Sequence, residues 1–191
     1  MLCGIDEAGR GPLAGPLCVA GAIFVNEVKE LNDSKKLSEK KREELFEKIK
    51  ENCHYHIVFK SAKEIDEKGI SLCLKESILE IMNNLKNNCD EFLMDGNTSF
   101  GISTLQHLVK ADAQIAEVSA ASILAKVSRD RYMDEIAPKY KEYDFHKHKG
   151  YGTKAHVEAI KLYGRSDEHR VSFKLKALGE EKGSGVQKSL F

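Results

Sequence analysis

The chain runs to 191 residues, 41% of them hydrophobic and 31% charged, with 30 Lys or Arg balanced by 30 Asp or Glu. That length supports one good core rather than two full-sized domains, and a formal net charge of zero argues against a nonspecific nucleic-acid coat. The longest apolar stretches, such as Leu17 to Val25, fall far short of the roughly 20 residues a membrane span needs, and residues 1 to 5 lack a basic region or signal pattern, so a cytoplasmic protein is expected.

Leu2 to Asp6 and Leu17 to Val25 read as two strands joined by a Gly/Pro-rich turn. Ser38 precedes Glu39 to Lys50, where Leu45 and Ile49 fall at helical spacing on a charged segment, and this predicts an amphipathic helix over one sheet face. Tyr55 to Lys60 alternates as a third strand would. Leu74, Ile78, Ile81 or Met82, and Leu85 mark a second helix. Glu91 to Met94 is a short apolar run that breaks at Asp95-Gly96-Asn97, as a buried strand entering a turn does. Ser119 to Ala137, rich in Ala, Leu and Ile with Pro138 beyond, reads as a close-packed helix. Glu180 to Gln187 has little to bury and reads as a flexible linker. No coiled coil or long apolar edge is visible, and a monomer is the default.

Charge is unevenly spread: Lys139 to Lys176 holds ten Lys or Arg against five Asp or Glu, so the remainder is about as negative as this stretch is positive. Cys3, Cys18, Cys53, Cys73 and Cys89 are odd in number, widely spaced and free of any C-x-x-C pair. They suggest buried, reduced thiols, with neither a disulfide framework nor a zinc site. His54-Tyr55-His56 and His146-Lys147-His148 could hold a soft metal by spacing, but alternate histidines on a strand merely share a face.

Asp6, Glu7 and Asp95 lie beside short apolar runs, and Asp112 precedes the Ala-rich helix. Carboxylates collected at the strand ends of an α/β sheet can share hard cations through oxygen. Each also has a structural alternative: Asp95 could cap a turn, and Asp112 could be a helix N-terminal acid. The segment Ala8-Gly9-Arg10-Gly11-Pro12-Leu13-Ala14-Gly15-Pro16 lacks the G-K-[ST] of a nucleotide loop, and Pro12 and Pro16 disfavour the helix such a loop feeds. Its small residues would instead let backbone N–H groups approach a sugar or phosphate, with Arg10 available for charge. Ser119 and Ser122 lie near these acids, yet no Ser/His/Asp arrangement is needed if water attacks.

Six blocks in order, Gly4-Ile5-Asp6-Glu7-Ala8-Gly9-Arg10-Gly11-Pro12, Asp33-Ser34-Lys35-Lys36-Leu37, Met94-Asp95-Gly96-Asn97, Lys110-Ala111-Asp112-Ala113, Val118 to Val127, and His148-Lys149-Gly150-Tyr151-Gly152-Thr153, together resemble bacterial type 2 ribonuclease H. The resemblance spans residue 4 to about residue 175. It implies an α/β, ribonuclease H-like fold: a mixed central sheet flanked by helices with a C-terminal helical extension, residues 1–179, followed by a flexible tail, 180–191. It implies metal ligation by Asp6, Glu7, Asp95 and Asp112, which would hold two Mg²⁺ or Mn²⁺ ions roughly 4 Å apart on the scissile phosphate. Asp6 would be the shared ligand, with Asp112 on the nucleophile side.

The implied activity is hydrolysis of the RNA strand of RNA–DNA hybrids, and nicking of duplex DNA 5′ of an embedded ribonucleotide to leave 3′-hydroxyl and 5′-phosphate ends. Gly9-Arg10-Gly11 would read the ribose 2′-hydroxyl, and Tyr151 would pack on the sugar at the RNA-to-DNA junction. Lys147, Lys149 and Lys154 would line a phosphate cleft, and Lys35, with Lys36 beside it, would contact phosphate. A related bacterial type carries an extra N-terminal substrate-binding domain. This chain starts almost at its first ligand, which suggests the type competent on single ribonucleotides. Gly164 to Arg170 does not match the usual family wording. At the other end, Gln187-Lys188-Ser189-Leu190-Phe191 is similar to the Q-x-x-L-F peptide that binds the sliding clamp, with Gln187, Leu190 and Phe191 as its contacts. The competing functions are a DNA-only nuclease or resolvase of the same fold, and a noncatalytic clamp-associated module.

Overall fold

The computed structural model describes residues 1–29, 31 and 37–180. Five strands form one mixed sheet: β1 (Leu2–Ala8), β2 (Leu17–Phe24), β3 (Cys53–Lys60), β4 (Glu91–Asp95) and β5 (Leu105–Leu108), in the order β3-β2-β1-β4-β5. The β1–β2 and β2–β3 pairs are antiparallel, while β1–β4 and β4–β5 are parallel. Helices α1 (Glu39–Asn52), α2 (Ala62–Lys68), α3 (Ile70–Leu85), α4 (Ala116–Ile136), α5 (Phe145–His148) and α6 (Lys154–Tyr163) complete the α/β architecture. No helix among the described residues is long and apolar enough to cross a membrane.

The two faces of β2 explain why its run is apolar throughout. Leu17, Val19 and Ile23 belong to a cluster with Ile65, Leu74, Ile78 and Ile81 from α2 and α3. Cys18, Ala20 and Ala22 face Ala120, Ala121, Leu124 and Ala125 of α4 together with Leu45 and Ile49 of α1. Alternation along β2 is therefore in side-chain size, large toward α3 and small toward α4, because helices cover both faces. The small face lets α4 approach closely. It passes so near β1 that a Cβ on Gly4 would lie 2.2 Å from the Glu117 carbonyl carbon and 2.3 Å from the Val118 nitrogen. Backbone cannot yield as a side chain can, so Gly4→Ala is expected to lose about 3 kcal/mol or more in a denaturant titration.

Several expected boundaries move. The strand β1 runs on to Ala8, so Asp6 is not its last residue and Glu7 lies inside it rather than past its end. Helix α4 begins at Ala116, three residues before the expected Ser119, and is buried nearly all round, which is why its sequence carries no clear apolar stripe. Four elements went unpredicted: α2, α5, α6 and β5. The capping box of α2, in which Ser61 accepts from the Glu64 N–H and Glu64 from the Ser61 N–H, was legible as S-x-x-E. The side chain of Thr153 likewise caps α6. The strand β5 is a four-residue edge with one buried position, which leaves no alternation to read. Cys3, Cys18, Cys53 and Cys73 are buried free thiols, and Cys89 is half-buried.

A third cluster forms the C-terminal part, where Met133, Tyr140, Tyr143, Phe145 and Ile160 pack on Leu13 and Ala14. His156 and His169 are buried beside Tyr143 and Phe145. Burial pulls each below the ordinary 6.5, to about 4, with Arg165 and His148 opposing protonation of both, while backbone hydrogen bonds, with Tyr151 and Gly150 for His156 and with Ser166 for His169, oppose the fall. Between those values the unfolded chain binds more protons than the folded one, so stability falls as pH falls. The contribution of these two histidines to the thermal melt is expected to be flat above pH 6.5 and to descend as pH drops toward about 4.

Candidate active site

Parallel pairing of β1 with β4 sets Ile5 opposite Met94, so Asp6 and Asp95 follow at the same end of neighbouring strands. The third acid is delivered by a turn. Lys110 takes a left-handed conformation with φ 60°, and Ala111–Ala113 forms one turn of 3-10 helix just ahead of α4. The Ala111 N–H donates to Asp95 Oδ1 at 2.9 Å, so Asp95 holds the segment that presents Asp112. Oxygens from Asp6, Asp95 and Asp112 all lie within 4.8 Å of one another. Glu7 stands outside that trio, as adjacent strand residues diverge, but it lines the same cleft.

Burial pushes the Asp6 carboxyl up to about 8, with the neighbouring charges of Glu7 and Asp95 adding to the shift. Hydrogen bonds from Ser122 and from the Glu7 N–H, the latter at 2.8 Å, oppose it. A buried Asp6 carboxyl that resists ionising, with oxygens of two further carboxylates close by, suits a hard divalent cation, which relieves the repulsion and accepts oxygen ligands. The donor set fits magnesium or manganese and contains no sulfur or imidazole to select a softer ion.

The acids open into a cleft of about 480 Å³ lined also by Gly9, Arg10, Gly11, Arg42, Ser122, Lys126 and Tyr151. Asp112, 3% exposed, lies at its buried side and does not line it. The glycine segment is held from beneath by two buried guanidinium groups. Arg129 donates to the carbonyls of Pro16 at 2.9 Å, Lys149 at 2.9 Å and Ala14 at 3.1 Å. Arg170 donates to Gly9 at 2.6 Å, Gly15 at 2.9 and 3.0 Å, and Arg10 at 3.2 Å. Gly9 has φ 88°, and a Cβ there would lie 2.1 Å from Arg129 Nε, so only glycine fits this position. The Arg10 side chain is half-exposed with Nη1 3.8 Å from Glu7 Oε1, which leaves it on the cleft rim. Tyr151 is 44% exposed, and its ring lies 5.6 Å from the Arg129 guanidinium.

The Gly164 to Arg170 stretch, which matched no familiar wording, thus supplies Arg170 as the anchor of the glycine loop. Arg129 and Arg170 were missed because a buried arginine and a surface one look alike in sequence. Arg42 and Lys126 were missed for the same reason, although Lys126 stands one helical turn after Ser122 and shares its face. Lys126 ion-pairs with Asp130 at 2.7 Å. Lys147 and Lys149 are engaged by Asp144 and Asp134, which reduces the charge they offer to the cleft. His54 is exposed, His56 lies 3.3 Å from Glu80, and both His148 nitrogens meet backbone groups. Lys35, Lys36, Gln187, Leu190 and Phe191 lie outside the described residues.

A family model described as Ribonuclease HII matches residues 3–176. The chain belongs to the ribonuclease HII family. It is 73% identical over 190 residues to a ribonuclease HII of Aliarcobacter butzleri (strain RM4018), covering 100% of this chain and 98% of that one. Among solved structures, the Archaeoglobus fulgidus protein described as a PCNA:RNase HII complex superposes with TM-score 0.79 at 32% identity, covering 92% of this chain and 96% of its own. The Pyrococcus horikoshii OT3 ribonuclease H2 gives TM-score 0.76 at 30% identity, covering 91% and 93%. As a ribonuclease HII, the chain is a metal-dependent endonuclease that acts on RNA–DNA hybrids.

Proposed function

We propose that this ribonuclease HII also nicks duplex DNA on the 5′ side of an embedded ribonucleotide, leaving 3′-hydroxyl and 5′-phosphate ends. The observation that carries this reading is one cleft holding two kinds of machinery: the acid trio at its buried end and the Gly9-Arg10-Gly11 loop with Tyr151 at its mouth. Asp6, Glu7, Asp95 and Asp112 would hold two Mg²⁺ or Mn²⁺ ions, with Asp6 the ligand common to both and Asp112 nearer the attacking water. When bound, these ions supply the positive charge that activates water for in-line attack on phosphorus and stabilises the leaving 3′ oxygen.

The remaining chemistry belongs to side chains and backbone. Gly9, Arg10 and Gly11 present backbone groups to the ribose 2′-hydroxyl, and the two buried arginines keep that backbone rigid, which lets a single hydroxyl decide recognition. Tyr151 packs on the sugar that follows. Arg10, Arg42 and Lys126 set positive charge around the acids, and Lys35 contacts phosphate beyond them. One chain supplies the whole cleft, which supports action as a monomer. The terminal Gln187, Leu190 and Phe191 bind the sliding clamp, a reading supported by the tail's wording and by the Archaeoglobus relative solved with PCNA.

Two duplexes test the substrate reading, one DNA duplex with a single ribonucleotide and one all-DNA control, each with Mg²⁺ or Mn²⁺. Only the first is cleaved, at the phosphate 5′ of the ribonucleotide. Cleavage of both marks a DNA-only nuclease or resolvase, and cleavage of neither removes the single-ribonucleotide activity. For the tail, a chain ending at residue 186 loses clamp binding in a pull-down while cleaving normally. Unchanged clamp binding refutes that assignment.

A further inference from the structure

Beneath Tyr151 lies a pair of buried histidines that hydrolysis does not use. His156, on α6, is 0% exposed, and His169, in the segment beyond it, is 2% exposed. His156 Nδ1 lies 2.9 Å from the Tyr151 carbonyl oxygen. A carbonyl only accepts, so that nitrogen carries the proton. His169 Nδ1 receives the Ser166 N–H at 2.9 Å and therefore carries none, with Ser166 Oγ 2.8 Å away. The two Nε2 atoms face each other at 3.0 Å. One proton arrangement satisfies all four contacts: His169 donates through Nε2 to His156, and His156 donates through Nδ1 to Tyr151. A one-way chain of hydrogen bonds thus runs from Ser166 through two neutral rings to the Tyr151 carbonyl.

That carbonyl also accepts from the Thr153 N–H at 2.8 Å, so it is gripped from two directions. On the far side of the residue, the Tyr151 ring stands in the cleft over Arg129. The His156 ring is itself wedged, stacked on His148 at 4.4 Å and edge-on to Phe145 at 5.6 Å. If the pair only filled space, apolar rings would serve without the cost of desolvating two imidazoles. Histidine offers a flat ring for stacking with one donor and one acceptor at opposite ends, which a relay to a backbone carbonyl requires.

We infer that His156 and His169 are positioning residues for substrate recognition, setting the height and orientation of the Tyr151 ring through its carbonyl. The inference rests on the reading of Tyr151 as the residue that packs on the junction sugar. Neither histidine touches the reacting phosphate, so the effect falls on binding and spares the chemical step.

The test is a double-mutant cycle of His156→Gln with Tyr151→Ala, read as KM and kcat on duplex DNA with one ribonucleotide. His156→Gln raises KM about tenfold and leaves kcat within about twofold, as a misplaced binding group does. In the Tyr151→Ala background the same change does nothing further. Additive effects on KM, or a loss confined to kcat, overturn the inference and leave the pair as core packing. If Tyr151→Ala alone leaves KM unchanged, it is the reading of Tyr151 that fails, and the cycle shows this separately. His169→Gln, one link back, repeats the test should His156→Gln fail to fold. In the wild-type, metal-free protein, the His156 Nδ1 resonance shifts when the single-ribonucleotide duplex binds, and a resonance that stays in place also overturns the inference.

Discussion

Replacing Asp6 with asparagine lowers kcat on an RNA–DNA hybrid by at least about 10³-fold while changing hybrid affinity by less than about threefold. The size of the loss follows from place: Asp6 sits in the middle of the β1 end, within 4.8 Å of oxygens from both Asp95 and Asp112. Asparagine keeps the shape and one oxygen but removes the charge that a divalent ion needs. Affinity is spared because the phosphate and sugar contacts come from the rim. Stability moves the other way. With its pKa raised to about 8, Asp6 favours the protonated form when folded, so the ionised group costs stability as pH rises from the ordinary carboxylate range toward 8. Asp6→Asn removes that cost, and in metal-free buffer at neutral pH it melts above the parent protein. An inactive variant that melts lower has lost its fold rather than its ligand. Retention of more than a tenth of kcat would refute the role assigned to Asp6.

Arg129→Met carries the second large effect, on stability and on KM together. Methionine fills much of the space but leaves the carbonyls of Ala14, Pro16 and Lys149 buried without their donor. At about 1–3 kcal/mol for each stranded group, with some relaxation, the loss is about 3–6 kcal/mol. For a chain of this size that is a fall of about 6–24 °C in Tm. Two substrate-reading segments are released at once, since Arg129 ties the glycine loop to the turn that carries Tyr151, so KM rises in whatever fraction remains folded. Arg129→Lys keeps the charge without the planar fork and recovers only part of the loss. Lys161→Gln is the control: Lys161 is exposed and pairs with Glu158 at 2.9 Å, a surface contact worth under about 1 kcal/mol. Equal Tm losses for Arg129→Met and Lys161→Gln would show that the buried forks hold nothing.

Local wording carried much of the fold and the centre of the site. Strong periodicity marked α1 and α3, composition marked β2 and α4, and the ends of the short apolar runs in β1 and β4 marked Asp6 and Asp95. Asp112 needed the family resemblance, because nothing local separates it from a helix-start acid. What stayed hidden were elements whose signal is tertiary. The edge strand β5 pairs without alternating, and α6 is short and partly exposed. The supporting arginines are legible only once burial is known, for the same letters more often mark solvated surface.

By itself, the sequence determined which residue types meet at the strand ends, because side-chain alternation and the small face of β2 leave few ways to lay α4 on the sheet. It also determined that β2 must be covered on both sides, since no polar residue interrupts it. Only the tertiary structure decided how the acids divide, three converging and Glu7 standing beside them, because distances between β1, β4 and the Asp112 turn depend on parallel register and on one close approach at Gly4. It also decided what supports the substrate loop. Arg129, His156, His169 and Arg170 come from parts of the chain far from Gly9, and only folding turns their ordinary hydrogen-bonding groups toward carbonyls that water no longer reaches.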